Sequence, residues 1–301
     1  MTGILIVFYD DLKHIPALAR SLKAQSNREF TVYATDNDPS KKHCEEFRKV
    51  YPNFKEIASQ GNVGFAVANN LLSRKAISDG CDRVMVLNPD MELHPDCIQN
   101  LLKVFQNHSA VGVTGPVLLY GNEQTSENRI QVYGIKANFR SQKKKILYNN
   151  SILDNSIPAQ MEVDYVNGGS MMIRSEVIEA AGLFNEDYFM YNDEIDFAFR
   201  VRKKGFKTLT VKSAVAWHHH DWGKSNLDGH ARMYYYVMRN KYLYFRQHRL
   251  FGNMLVQIAA DVFLFPVKVR WASRIASAGM LKLYYRGCLD GIRGTKGKKD
   301  F

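Results

Sequence analysis

The sequence predicts an α/β protein with a mostly parallel central sheet and helices on both faces. Two observations carry this. Short apolar runs alternate with amphipathic stretches in a β-α-β-α-β-α-β order up to residue 87, and several of those runs stop on polar turns of Asp, Asn and Pro. Ile4–Tyr9 reads as a first buried strand, and Ile15–Gln25 as a helix with Leu18, Ala19 and Leu22 at helical spacing. Phe30–Thr35 is a second strand. It ends at Asp36-Asn37-Asp38-Pro39-Ser40, a turn that also offers caps for a helix carrying Glu45, Phe47 and Val50. Phe54–Ala58 is expected as a third strand, Phe65–Ser78 as a helix, and Arg83–Leu87 as a strand stopped by Asn88-Pro89-Asp90. The polar stretch Gly121–Ser156, with Lys143-Lys144-Lys145, breaks the pattern and is expected to hold a mobile loop near the site. Regularity resumes with Val163–Arg174, helices at Ser175–Ala181 and Asp193–Lys204, and a strand at Lys207–Val211.

After His220 the character changes. Tyr234, Tyr235, Tyr236, Tyr242, Tyr244 and Phe245 mix with basic residues, then comes the apolar run Met254–Val267, then a basic tail from Lys268 to Lys299. A boundary is expected near residue 230, giving an α/β unit over 1–230 and a helical C-terminal region over 231–301. The run Met254–Val267 is too short to span a bilayer, which needs about 20 apolar residues, and Gln257 and Asp261 interrupt it. Leu255, Ile258, Ala259, Val262 and Phe263 share helical spacing, with Gln257 and Asp261 off that stripe. Such a helix, followed by basic residues, suits the surface of an anionic membrane; a core helix or a dimer contact is the bland alternative.

With 46% hydrophobic and 24% charged residues over 301 positions, the chain reads as globular with a sizeable core. The net charge of +11 favours anionic partners. Much of that charge sits in the tail, which argues against nucleic acid, and a salt titration separates the two cases. Cys44, Cys81, Cys97 and Cys288 have neither zinc-site spacing nor the density of a disulfide framework, so a reducing, cytoplasmic setting is expected. The N-terminal apolar run is too short for a signal peptide and lacks a basic leader.

Ligands on parallel α/β sheets bind beyond the carboxyl ends of the strands. This directs attention to Tyr9-Asp10, Asp36-Asn37 and Asn88-Pro89-Asp90. A carboxylate at a strand end, such as Asp90, can hold Mn²⁺ or Mg²⁺ while diphosphate oxygens and water fill the other positions; the tripeptide is equally a plain turn. Gly61-Asn62-Val63-Gly64 before a helix carrying Asn69 and Asn70 lets amides approach a nucleotide, or simply joins strand to helix. In Asn192-Asp193-Glu194-Ile195-Asp196, Asp193 and Asp196 have cap and first-turn roles open to them, and Asp196 pairs in spacing with Arg200. Glu194 is left over and suits a general base. In Trp217-His218-His219-His220-Asp221 successive side chains alternate along a strand, so one histidine can serve a metal and a solvated loop accounts for the others.

Taken in order, these clusters resemble family 2 of the inverting glycosyltransferases, which have the GT-A fold, and especially its bacterial rhamnosyltransferase branch. The resemblance runs over roughly residues 3–245. It rests on Asn62-Val63-Gly64-Phe65 with Asn69-Asn70, Leu87-Asn88-Pro89-Asp90, Asn167-Gly168-Gly169-Ser170-Met171-Met172-Ile173-Arg174 and Gly182-Leu183-Phe184-Asn185-Glu186, continuing through Phe189-Met190-Tyr191 to Asp196 and Arg200. It implies that Tyr9, Asp36, Asn62, Gly64, Asn69, Asn88 and Asp90 line the donor, with Asp36 at the nucleobase. Gly168, Gly169 and Asp193 fall on the acceptor side. Asp90 matches the last acid of the family's metal motif, whose first acid is Asn88 here, and His218 matches a metal-ligating histidine. Asp193-Glu194 aligns with the family's Glu-Asp pair, which puts the base on Glu194 with Asp193 as its substitute.

The implied reaction moves a sugar, L-rhamnose from a dTDP-linked donor as first expectation, to a saccharide or polyprenyl-linked acceptor in cell-surface polysaccharide synthesis. Galactose, galactofuranose, glucose and N-acetylglucosamine donors stay open, as does a non-catalytic sugar-nucleotide-binding relative. The setting expected is the inner face of the plasma membrane, held peripherally.

Overall fold

The computed structural model of the chain describes residues 1–301 apart from 11, 41, 60, 123, 124, 126, 220–226 and 273–277. The first half follows the expected alternation: β1 (Thr2–Phe8), α1 (Ile15–Lys23), β2 (Phe30–Asp36), α2 (Lys42–Val50), β3 (Lys55–Glu56), α3 (Gly64–Ser78) and β4 (Arg83–Leu87). Alternate residues of β1 leave on opposite faces of the sheet. Ile4 and Ile6 pack with Leu18, Leu22, Phe47 and Leu101, and Leu5 packs with Leu72, Ala76 and Val177. Both faces of this strand are buried, so it is apolar without interruption.

The second half comprises β5 (Met91–Leu93), α4 (Cys97–Asn107), β6 (Val111–Tyr120), β7 (Ile130–Val132), β8 (Ile135–Asn138), β9 (Lys143–Ile146), β10 (Gln160–Val163), β11 (Ser170–Arg174), α5 (Ser175–Ala181), α6 (Asp193–Lys203) and β12 (Lys207–His218). The main sheet runs β10-β12-β6-β11-β4-β1-β2-β3, with β5 paired to β12 and β7 to β6. It is parallel across β4-β1-β2-β3 and between β12 and β6. β11 enters antiparallel to both β4 and β6, which makes the sheet mixed. That insertion matters for the site, because it carries Gly168-Gly169 to the carboxyl end of β4, where Asn88 N–H donates to the Gly169 carbonyl at 2.8 Å.

Several boundaries differ from the sequence reading. The strand expected over Phe54–Ala58 shrinks to Lys55–Glu56 on the sheet edge. Of the regular stretch Val163–Arg174, Val163 closes β10 and Ser170–Arg174 forms β11, in a different part of the sheet. Within Gly121–Ser156, expected as a loop, Ile130–Val132 joins the main sheet and β8 and β9 pair in a hairpin of their own. β12 continues beyond Val211 to His218 through a register shift between Val211 and Val215, a bulge that extends the strand while re-aiming its end.

The C-terminal helices are α7 (Leu227–Gln247), α8 (Phe251–Ala272) and α9 (Ala278–Arg293). The boundary expected near residue 230 therefore falls inside α7. This helix is tied into the 185–196 segment: Gln247 donates to Asp187 at 2.9 Å, and His248, just beyond the helix, meets Asp196 at 2.6 Å. α9 packs on α7, with Tyr235 donating to Asp290 at 2.8 Å and Arg246 to the Ile292 carbonyl at 2.8 Å. Among the described residues, no helix is long and apolar enough to cross a membrane.

Candidate active site

Strand β1 ends at Phe8, and Asp10 turns the chain with a positive φ of 57°. Tyr9, expected at the donor, is 51% exposed. At the end of β2, Asp36 caps the following helix, as the composition of the turn allows. Asp36 is buried. Its Oδ2 accepts from the backbone N–H of His43 at 2.8 Å and of Cys44 at 3.4 Å, and its Oδ1 accepts from Asp38 N–H at 3.0 Å and faces His43 Nδ1 at 3.2 Å. The carboxylate is committed to holding the β2–α2 turn, which leaves little of it for a nucleobase. Its neighbours are better disposed. Thr35 Oγ1 and Asn37 Oδ1 are buried without hydrogen-bond partners, and both residues line a cavity of about 150 Å³ with Ser59, Val63 and Leu71. The strand-end rule pointed to Asn37 as part of Asp36-Asn37; Thr35 it passed over.

The glycine turn before α3 also has a different physical basis. Gly64 has φ +86°, and a Cβ there would lie 2.3 Å from the Phe189 carbonyl oxygen. Gly64 N–H goes to Asn62 Oδ1 at 3.1 Å and Phe65 N–H to Phe189 O at 2.8 Å. Glycine is thus required for close approach of the 188–191 backbone, and these amides are spent within the protein. Asn69 donates to the Phe65 carbonyl at 3.0 Å and keeps a buried, unpartnered Oδ1. Asn70 is structural: it donates to the Phe184 carbonyl at 2.8 Å and accepts from Phe184 N–H at 3.0 Å.

Beyond β4 the turn Asn88–Asp90 and the end of β12 come together. β5 pairs with β12, and His219 N–H donates to the Asp90 carbonyl at 2.9 Å. His218 Nε2 and Asp90 Oδ2 stand 3.3 Å apart, both largely buried. Gln131 Oε1 lies 2.7 Å from His218 Nδ1. With the proton on Nδ1, Gln131 accepts it and Nε2 presents its lone pair toward the Asp90 carboxylate. A lone pair facing a carboxylate is the arrangement a cation between them would satisfy, with Gln131 orienting the imidazole from behind. Gln131 reaches the site only because β7 joins β6, a link no sequence spacing discloses. Among the described residues there is no group of three or more His, Cys, Asp and Glu able to hold a metal ion. Two protein ligands, completed by diphosphate oxygens and water, fit Mg²⁺ or Mn²⁺, which usually keep waters and substrate phosphates in their shell.

His219 points elsewhere, as strand alternation requires. It meets Glu92 at 3.1 Å and stacks on His14, 5.7 Å between ring centroids, so it is part of a packed cluster rather than a solvated loop. Burial lowers the His14 pKa, while nearby Asp90 opposes that shift. His220 and Asp221 lie outside the described residues.

At the start of α6, Asp193 and Glu194 separate cleanly. Asp193 is buried, its Oδ1 has no partner, and burial, then the charges of Glu194 and Asp196, push its pKa well above the usual carboxylate range. Asp196 is buried too. Burial works against its charge, but hydrogen bonds and charge from His248 and Arg200 outweigh that and hold its pKa low. Glu194 is only partly buried and lies against Gly168, where an added Cβ would sit 2.6 Å from its Cγ and Oε1. The Gly168-Gly169 pair thus links Glu194 on one side to Asn88 on the other.

Residues 3–175 match the model of Glycosyl transferase family 2. The chain is 24% identical over 261 residues to the N-acetylglucosaminyl-diphospho-decaprenol L-rhamnosyltransferase of Mycobacterium tuberculosis, covering 79% of this chain and 84% of that one. It is 22% identical to the dTDP-rhamnosyl transferase RfbF of Shigella flexneri, covering 98% and 96%. The fold is that of the crystal structure of S. aureus TarS 1–349, with a TM-score of 0.58 at 14% identity over 98% of this chain and 80% of that one. The chain therefore belongs to Glycosyl transferase family 2 and is rhamnosyltransferase-like.

Proposed function

We propose that the protein transfers a sugar with inversion from a nucleotide-diphosphate donor to a saccharide or lipid-linked acceptor. The observation that carries this reading is that Gly168-Gly169 meets Glu194 on one side and Asn88 on the other, with Asp90 two residues beyond Asn88 and 3.3 Å from His218. Glu194 takes the proton from an acceptor hydroxyl as that oxygen attacks the anomeric carbon opposite the leaving diphosphate. One displacement inverts the configuration and needs no covalent sugar–enzyme intermediate. Asp90 and His218 would hold Mn²⁺ or Mg²⁺, which when bound offsets the charge that builds on the leaving diphosphate. Tyr9, Asn62, Asn69 and Asn88 stand on the donor side, and the Thr35–Asn37 cavity is a better candidate for the nucleobase than Asp36. dTDP-L-rhamnose is the first donor to test, on the strength of the relatives' names. The working setting is the inner face of the plasma membrane, in cell-surface polysaccharide synthesis.

This reading requires that excess chelator abolish donor turnover and that Mn²⁺ or Mg²⁺ restore it. Asp90→Ala is expected to lower transfer by about a hundredfold with an unchanged melting temperature. A panel of nucleotide sugars assayed for turnover checks both donor and metal; a full rate in excess chelator overturns the metal assignment.

A peripheral membrane contact through α8 is part of the same proposal. Leu255, Val256, Val262 and Phe263 are 65%, 69%, 49% and 77% exposed, whereas Asp261 is buried, accepting from Lys241 at 2.6 Å and Tyr242 at 2.9 Å. Ile258, expected in the outer stripe, packs partly inward against the cluster of Met254 and Tyr242. The helix thus presents Leu255, Val256, Val262 and Phe263 outward and its one acid inward, the reverse of a helix facing water. Leu255→Asp with Phe263→Asp is expected to abolish co-sedimentation with anionic vesicles while leaving donor hydrolysis intact. Unchanged sedimentation of that double variant would refute the contact.

A further inference from the structure

The first turn of α6 carries Glu194, yet the helix starts without the usual means of fixing its end. Its N-cap residue Asn192 sits at φ 64° and makes no side-chain cap bond, and Asp193 Oδ1 is buried without a partner. Helix ends without such caps fray first. The side chain that ties this turn down is Asp196. It is 1% exposed; Oδ2 accepts from Arg200 Nε at 2.8 Å, and Oδ1 accepts from the Tyr188 hydroxyl at 3.3 Å and lies 2.6 Å from His248 Nε2. An ionised carboxylate only accepts, so Nε2 carries the proton in that last bond.

Of these partners, Tyr188 belongs to the turn leading into α6, and Arg200 lies on the same helix. Arg200 reaches on to the carbonyls of Ala181, Gly182 and Leu183, so both move with the 181–200 segment. His248 does not. It stands 52 residues further along the chain than Asp196, just past α7, with its own N–H bonded to the Tyr244 carbonyl at 3.0 Å. Its ring lies edge-on to Phe199 and Tyr244, 4.6 Å from each ring centroid, and Tyr244 in turn donates to the Phe139 carbonyl at 3.1 Å. Packing therefore holds the imidazole, and its Nε2–H is spent on a buried acid two residues beyond Glu194.

We propose that His248 is a positioning residue for the transfer reaction: through Asp196 it fixes the first turn of α6 against α7, and so fixes where the Glu194 carboxylate points. This rests on the transfer reading given above and adds to it a residue of the C-terminal helical region, which the sequence reading set apart from the α/β unit. A misplacement of about 1 Å at a reacting group can cost on the order of a hundredfold in rate, so a contact that never touches substrate still registers in kcat.

Two substitutions separate the hydrogen bond from the packing. His248→Phe keeps a ring beside Phe199 and Tyr244 and loses the donor, whereas His248→Gln loses the ring and keeps an amide N–H. With dTDP-L-rhamnose and Mn²⁺, His248→Phe is expected to lower kcat for donor turnover by roughly 10- to 100-fold at unchanged donor KM. His248→Gln is expected to recover most of that rate. Added to Glu194→Gln, His248→Phe should cost no further activity, because a base that is gone cannot be misplaced. Hydrogen exchange of the full chain without substrate reads the positioning itself. Amides of residues 193–197 should exchange on the order of tenfold faster in His248→Phe, and those of β1 and β4 at the wild-type rate. The reverse order, with the phenylalanine variant active and the glutamine variant impaired, makes His248 a packing residue and overturns the proposal. So does an additive loss in the Glu194→Gln background, unchanged exchange in α6, or faster exchange throughout the sheet. If Glu194→Gln itself turns over the donor at the wild-type rate, the transfer reading fails, while the exchange data still report on His248.

Discussion

Replacing Glu194 by glutamine is expected to leave donor binding in place and to lower transfer by on the order of 10²–10⁴-fold, the usual cost of removing a general base. The substitution keeps shape and removes only the proton acceptor. Asp193 is the control that makes the result decisive. It is buried, and desolvation together with the charges of Glu194 and Asp196 favours its neutral acid. Asp193→Asn imitates that neutral form, so transfer should persist. The sign of the stability effect follows. A carboxyl whose pKa is raised on folding favours the folded state below its unfolded pKa, and that contribution is lost as pH rises through the folded value. The asparagine variant should therefore gain on the wild type in melting temperature as pH rises from the acid range toward neutrality. Gly168→Ala completes the set. Its Cβ would press on the Glu194 carboxylate at 2.6 Å, and a displaced base costs about a hundredfold with the donor KM unchanged. If Asp193→Asn were inactive and Glu194→Gln near wild type in transfer assays, the base would be Asp193.

Replacing Arg239 by methionine is expected to remove about 3–5 kcal/mol of stability, seen as a melting temperature lower by roughly 6 °C or more. Arg239 is fully buried on α7. Its guanidinium donates to the carbonyls of Gly297 and Tyr188 and to Asn240 Oδ1, and it lies 4.9 Å from the Tyr236 ring centroid. Asn240 Nδ2 in turn contacts the carbonyls of Tyr188, Met190 and Tyr191 at 3.2, 2.7 and 2.8 Å. The turn they gather holds Phe189, Tyr191 and Asn192 at φ of 67°, 66° and 64°, a conformation that side chains other than glycine adopt only under constraint. That turn launches α6 and hence Glu194. Methionine fills the volume but leaves the Gly297 carbonyl without its donor, and kcat should fall with stability while the donor KM holds. Thermal denaturation and steady-state kinetics read both; a shift of less than about 2 °C would show that the clamp is not what holds the turn.

Much of the catalytic framework was legible before any coordinates. β1, β2 and β4 and the helices α3, α5 and α6 lie within a few residues of their expected positions, because apolar periodicity and strand-end turns are local properties of the chain. The candidate chemistry was also legible as an order of motifs: Asp90 after a strand, Glu194 at a helix start, His218 at a strand end. Less legible were the bounds of β10 and β11 around Val163–Arg174, and Gly121–Ser156, whose polarity conceals a hairpin. A two-stranded ribbon with one solvent-facing side has few apolar positions, so its periodicity is weak.

By itself, then, the sequence determined which elements form and which acids, amides and histidines stand at their ends. Only the tertiary structure decided how those groups are spent. Asp36, assigned to the nucleobase by resemblance, is consumed by the amides of α2, while Asn37 beside it keeps an open acceptor. Gly64, open to either a nucleotide contact or a plain connection, serves the backbone of Phe189. His218 acquires its orientation from Gln131, 87 residues away in the chain. Asp261 turns inward to Lys241 and Tyr242 and leaves apolar residues outside. The physical reason is common to all of them. Propensity and pattern act over a few residues, whereas the availability of a buried polar group depends on which distant donor or acceptor reaches it first.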